Sequence, residues 1–424
     1  MHAFDAAAML IAIAAVSGYI NHRLLKLPAT SGTLLIALAG SLAVVLIDEI
    51  IPAWHLRDQL AQLLNSVDFN DTLMHGMLCF LLFAGALHLD LRALLDNKWT
   101  IGILATVGVV LSTATIGILT WLVFGLVGVE VNLIACLVFG ALISPTDPIA
   151  VLALLKELHA PRSLEAQIAG ESLFNDGIAV VVFVALVAVA GLNGSDQSLV
   201  LRPASVGLFI VREVIGGTAL GLGLGYVGYR ALKSIDNHPL EVLITLALVM
   251  FMYTVSFWIH VSGPIAVVVA GLLIGNPGRR YAMSANTRQH VDVFWSMVDE
   301  ILNAVLFLLL GLQVFAVPAG PRAILAALLV IPVALSARWI SVGLPVVMVG
   351  FGTRFIRGLV PVLTWTGLRG GISVAMALSL PRFPGRDYLL ACTYAVVVFS
   401  ILVQGLTVTR VLTYYGVSGT LPRQ

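Results

Sequence analysis

Two acidic residues lie inside long apolar segments: Asp147 in Ser144-Pro145-Thr146-Asp147-Pro148, and Asp176 in Gly170-Glu171-Ser172-Leu173-Phe174-Asn175-Asp176-Gly177. Ionisable groups at membrane depth are costly, and those that persist mark an ion or substrate path. The same surroundings tolerate irregular backbone only where it is buried in protein or lines a cavity. Pro145 and Pro148 impose such irregularity around Asp147, because proline removes a backbone donor and disfavours helix in the residue before it. Carboxylates beside freed carbonyl oxygens suit a hard cation.

Composition agrees with a membrane setting. The chain is 59% hydrophobic and 11% charged, with a mean hydropathy of +1.02. A soluble domain carries about 25% charged residues, so an all-α integral membrane protein is expected. The net charge of +1 gives no sign of nucleic-acid binding. Cys79, Cys136 and Cys392 fall in apolar stretches without metal-ligand or disulfide spacing, and read as small buried residues. The first apolar run has no basic stretch before it, and Arg23 and Lys26 follow it, so it reads as a span rather than a cleaved leader.

A bilayer core takes about 20 apolar residues per helix. Thirteen spans are expected, at roughly 6–22, 32–50, 71–88, 100–127, 131–155, 164–191, 205–229, 240–259, 262–275, 298–317, 322–350, 359–380 and 388–411. The ninth is short. Alternate loops differ in basic charge: fifteen Lys and Arg fall on the side of the first loop and the C-terminus, and five on the other. Arg212, Arg338 and Arg369 lie in spans. The positive-inside rule places the N-terminus outside and the C-terminus in the cytoplasm. The loops are too short to fold alone, and no soluble domain or regulatory tail is expected.

The fifth span is interrupted at Ser144–Pro148. The twelfth is interrupted at Thr364-Trp365-Thr366-Gly367-Leu368-Arg369-Gly370-Gly371, where three glycines weaken the helix around a charged residue. Interrupted segments in corresponding places of two halves point to a secondary transporter's site. The fifth and twelfth spans are the middle members of spans 4–6 and 11–13, which would run in opposite directions and form an inverted repeat. Where two broken helices cross, positive N-terminal ends call for negative charge and negative C-terminal ends for positive charge. Asp147 and Arg369 are suited to these ends, whether as ion-site residues or as structural caps.

On the sixth span, residues 172, 175, 176 and 179 share one face. Ser172 offers a hydroxyl oxygen, Asp176 a carboxylate, and Asn175 an amide able to tie the crossing together. Glu171 points partly away, and Arg338 in the eleventh span is its expected partner, in a positioning role. Burial favours the protonated form of a carboxylic acid and a bound cation favours the ionised form. Asp176 can therefore hold a proton or a metal ion in competition. No Walker-type motif is present, and no cofactor is expected.

At these residues the chain resembles the monovalent cation:proton antiporters of the NhaP and sodium/proton exchanger type. The resemblance runs over nearly the whole chain and rests on Ser144–Pro148, Gly170–Gly177 and Gly367–Gly371 in this order. It implies an inverted-repeat antiporter fold with an ion-carrying core (approximately 71–191 and 298–411) and dimerisation helices (approximately 1–50 and 205–275). It further implies a homodimer in the cell membrane and an elevator-like movement of the core. By the same resemblance Asp176 is the main cation and proton carrier. Asp147, Ser172 and the main-chain oxygen of Thr146 complete the sodium site, Asn175 holds the crossing, Glu171 pairs with Arg338, and Arg369 matters for activity or its pH dependence. The Asn175-Asp176 pair resembles the electroneutral branch, which implies one cation per proton. One departure stands out: many relatives read Leu-Phe-Glu in the third span, whereas this chain reads Leu82-Phe83-Ala84 before Leu87-His88-Leu89-Asp90-Leu91.

A potassium/proton antiporter of the same fold is the near alternative to sodium or lithium. An intramembrane aspartyl protease using Asp147 and Asp176 is a remote one, because neither acid has the Gly-x-Gly-Asp or Tyr-Asp setting of that class. A sensor without transport would need an output domain. His75, His88, Asp90, His260, Arg212 and Glu213 lie near span ends and read as interfacial or anchoring residues.

Overall fold

The computed structural model describes residues 3–51, 77–192, 203–316, 320–349 and 358–416. His75, Arg57, Arg202, Arg354, Arg357 and Arg423 lie outside these residues, as does the start expected for the third span. Every regular element among the described residues is helical, and nine helices are long and apolar enough to cross a membrane.

In chain order the main helices are α1 (Ala3–Ile20), α2 (Ala29–Ile50), α3 (Leu78–His88), α4 (Leu91–Asp96) and α5 (Lys98–Val127). Next come α6 (Leu133–Ile143), α7 (Ile149–Glu157), α8 (Arg162–Val189), α9 (Pro203–Lys233), α10 (His238–Ile259) and α11 (Gly263–Leu273). The last are α12 (Ala285–Leu312), α13 (Pro321–Val349), α14 (Leu359–Thr366), α15 (Gly371–Ser379) and α16 (Arg386–Tyr414).

The two interruptions read from the sequence are both present. Residues 144–148 separate α6 from α7, and residues 367–370 separate α14 from α15. Each half-helix pair follows one long helix and precedes another: α5, α6/α7, α8 in the first half and α13, α14/α15, α16 in the second. The broken segments meet as antiparallel backbone, where Asp147 N donates to Leu368 O at 2.7 Å. That bond satisfies a donor that neither half-helix uses.

Small residues bring the helices close. A methyl group at Gly140 of α6 would lie 2.2 Å from Thr113 O of α5, and one at Gly117 of α5 would lie 2.7 Å from a Leu137 methyl. This contact, with Phe124, Phe139 and Leu142 fully buried, forms a core under α6 that also takes in α13 and α16. On the other side, α3 packs on α11 and α12 around Phe83 and Trp295, whose rings are 4.7 Å apart.

One element differs from expectation. The tenth span was placed at 298–317, but α12 starts at Ala285 and its first turns fill what reads as a charged loop. Ser284 caps it, its Oγ accepting from Thr287 N at 3.3 Å. Val291 and Trp295 are buried on one side, while Arg288, His290 and Val293 remain exposed. The charges belong to an amphipathic helical turn rather than to a connection.

Gly140→Ala is expected to lower stability by about 1–3 kcal/mol, because backbone rather than a flexible side chain blocks the new methyl. Its thermal midpoint in detergent should fall; an unchanged midpoint would refute close packing of α5 on α6.

Candidate ion-binding site

The crossing brings together residues from four helices. Asn175 of α8 ties the first break in place: its Nδ2 donates to Thr146 Oγ1 at 2.8 Å, and its Oδ1 accepts from Thr146 N at 3.4 Å. Ser172, one turn earlier on the same face, lies with its Oγ 2.8 Å from Thr146 Oγ1. Since that threonine oxygen already accepts from Asn175, its proton is free to point at Ser172. Thr146 is thus held through its side chain and amide. Thr146, Ser172 and Asn175 are all buried.

Asp176 is also buried, at 6% exposure, and its Oδ1 is sealed from solvent with no hydrogen-bond donor among the described residues. A buried carboxylate oxygen without a donor is costly. A cation or a proton on the carboxylate removes that cost.

Asp147 stands at the meeting of two helix N-termini. Its Oδ1 accepts from Ile149 N at 3.0 Å, at the start of α7. Its other oxygen packs on Gly370, the cap of α15, where a methyl group would come within 2.7 Å of Oδ2. One carboxylate thus faces both positive ends.

Arginines serve the negative ends. Arg369 Nη1 donates to Ser144 O at 2.6 Å and Pro145 O at 2.9 Å, beyond the last turn of α6. Its own amide donates to Ser400 Oγ at 2.8 Å. Arg338 of α13 forms an ion pair with Glu171 and donates through Nη2 to Leu363 O of α14 at 3.1 Å. The expected pairing of Glu171 with Arg338 is therefore present, and the arginine also caps a broken helix.

The glycines of the second break have a different role from the one sequence suggests. Gly367 and Gly370 hold negative φ values, so the backbone does not demand glycine for its conformation. The need is for space. A methyl group would strike Arg338 Nε at Gly367, Asp147 at Gly370 and Leu306 at Gly371.

Sequence reasoning passed over three polar contributors. Ser144 Oγ lies 3.2 Å from Thr113 Oγ1 and donates to Gly140 O at 2.7 Å, while Ser400 receives the Arg369 amide. Isolated hydroxyls in apolar helices carry little signal. Asp299, which the sequence reading does not single out, is half-buried on α12.

A broken-helix crossing with a carboxylate, a hydroxyl pair and freed backbone defines a membrane transporter of small cations. Comparison with known proteins identifies which kind. Residues 11–414 match the sodium/hydrogen exchanger transmembrane family. The chain is 45% identical over 410 residues to the Na(+)/H(+) antiporter NhaP of Pseudomonas aeruginosa, covering 95% of each. It is 34% identical over 386 residues to the Na(+)/H(+) antiporter NhaH of Halobacillus dabanensis, covering 89% of this chain and 92% of that one. In fold it is similar to the sodium proton antiporter MjNhaP1 of Methanocaldococcus jannaschii, with a TM-score of 0.75 at 18% identity, covering 98% of this chain and 100% of that one. The chain belongs to the sodium/hydrogen exchanger family. Its relatives are transporters, and an aspartyl protease reading has no support among them.

Breaking the Glu171–Arg338 pair strands a buried charge, at a cost of about 3–5 kcal/mol. Glu171→Gln and Arg338→Ala should each reduce the yield of folded protein more than they change apparent cation affinity. A strong affinity change at normal yield would place the pair in the ion site instead.

Proposed function

We propose that this protein is a sodium/proton antiporter, accepting lithium as a similar small hard cation, in which Asp176 binds cation and proton in alternation. The observation that carries the reading is the sealed Asp176 Oδ1, without a donor, one turn along α8 from Ser172 at the crossing. Family membership makes exchange of sodium for protons the activity of choice over other uses of such a site.

In this reading Asp176, Asp147, Ser172 and the main-chain oxygen of Thr146 hold the sodium ion. Asn175 and the Glu171–Arg338 pair keep the crossing in register, and Arg369 fixes the end of α6. Loading and unloading follow from competition: a cation displaces the proton and a proton displaces the cation. Alternating access then exchanges one for the other, one to one, without a cofactor. The membrane positions are an outer N-terminus and a cytoplasmic C-terminus, from the distribution of basic loops. The working unit is a homodimer, with the helices near 1–50 and 205–275 as the dimerisation part and the broken-helix region as the moving core.

Reconstituted vesicles with an acidic interior test this directly. Sodium or lithium, but not choline, should dissipate the proton gradient in the wild type, and Asp176→Asn should abolish the response while still inserting. Normal exchange in that variant would eliminate Asp176 as the carrier. Dissipation by potassium alone would retain the mechanism and replace the substrate. Ser172→Ala removes one neutral oxygen and should raise the sodium concentration for half-maximal rate about three- to ten-fold, on the scale of one hydrogen-bond-strength contact. A complete loss of transport there would show that the hydroxyl does more than ligate.

A further inference from the structure

α12 carries a polar stripe that the proposed site does not use. Asp292, Ser296, Asp299 and Asn303 follow one another at i, i+4, i+7 and i+11, which keeps them on one face. Leu306 continues that face and packs against Gly371 at the start of α15. The stripe therefore leads from the charged end of α12 to the crossing. Its outermost member, Asp292, pairs with Arg279. Ser296 lies 3.4 Å from Nε2 of His88, whose Nδ1 lies 2.7 Å from the carbonyl oxygen of Ala84.

Asp299 and Asn303 form the deeper half. Asp299 is half-buried, and no ion pair from it to Lys, Arg or His is recorded among the described residues. It lies about 10 Å along the helix from Leu306, seven residues at about 1.5 Å each. Asn303 is buried at 5% exposure and donates through Nδ2 to the main-chain oxygen of Asp299 at 2.8 Å. Its Oδ1 is sealed and meets no donor among the described residues. An amide oxygen in that condition seeks a positive partner. A carboxylate and a donorless amide oxygen on adjacent turns are hard oxygen ligands, and together they suit a monovalent cation.

Among the described residues, α3 (Leu78–His88) carries no acid. Ala84 shares the His88 face of α3, and α3 there presents a methyl group.

The geometry points to Asp299 and the Asn303 side-chain oxygen as an approach subsite for the transported monovalent cation, occupied before the ion reaches Asp176. This rests on the sodium/proton reading above. The subsite raises the local cation concentration and removes part of the hydration shell on the way in.

The test is the sodium dependence of proton efflux from vesicles holding the full-length protein, normalised to inserted protein. Asp299→Asn should raise the sodium concentration for half-maximal rate by about five-fold or more while the maximal rate changes less than about two-fold, because the carrier itself is intact. Asp299→Glu should stay near the wild type, and Asn303→Ala should move in the same direction as Asp299→Asn. Glu300→Gln removes the same charge from the exposed neighbour and should leave both constants unchanged. If Asp299→Asn fails to insert, Asn303→Ala decides. An unchanged half-maximal concentration in the variants that insert overturns the subsite, as does a shift equally large in Glu300→Gln, which would show general surface charge. Absence of exchange in the wild type overturns the antiport reading instead, and the subsite falls with it.

Discussion

Everything at the centre of this protein depends on compensating the ends of two broken helices. Four half-helix termini converge where the bilayer gives no water to satisfy them. Asp147 serves the starts of α7 and α15, Arg369 serves the end of α6, and Arg338 serves the end of α14. The Asp147–Leu368 backbone bond then locks the two breaks together. With these ends paired, Asp176 keeps a buried carboxylate oxygen that meets no donor among the described residues. In the proposed reading, that oxygen is where cation and proton compete.

The scaffold around the crossing divides the labour by helix face. On α8, Glu171 turns to α13 and its arginine, while Ser172 and Asn175 turn to the first break. Successive residues on a helix differ by about 100°, so a run of four polar residues can serve two neighbours without conflict. Gly177 completes the arrangement by letting Ile265 of α11 approach. The second break follows the same economy: each of its three glycines yields space to a different neighbour.

Much of this is legible in the amino-acid sequence, and for physical reasons. Prolines flanking an acid in an apolar run have few structural outcomes, so the break at Ser144–Pro148 could be read directly. Glu171 points partly away from the Ser172, Asn175 and Asp176 face of its span, and a buried charge must find its opposite, so Arg338 in the middle of the eleventh span reads as its partner. The glycines of the second break were visible but their purpose was not, because space for a side chain is a tertiary property. α12 was truncated for a related reason. Its charged first turns look like a loop by hydropathy, and only packing of Val291 and Trp295 against neighbours reveals a helix there. The number of membrane crossings expected from hydropathy exceeds the nine long apolar helices, since broken and short helices escape a length criterion.

The Glu171–Arg338 pair has a consequence for energy conversion. Fully ionised, the crossing holds three acids (Asp147, Asp176 and Glu171) against two arginines (Arg338 and Arg369). Under the proposed exchange, one sodium ion or one proton brings this set to zero, and the unloaded set carries a single negative charge. A neutral body can pass through a low-dielectric barrier far more readily than a charged one. In that reading either loaded form would be free to move and indifferent to the membrane voltage, whereas the empty form would be held back by its own electrostatics. The stoichiometry and the prohibition on futile return would both come from a single arithmetic of fixed charges.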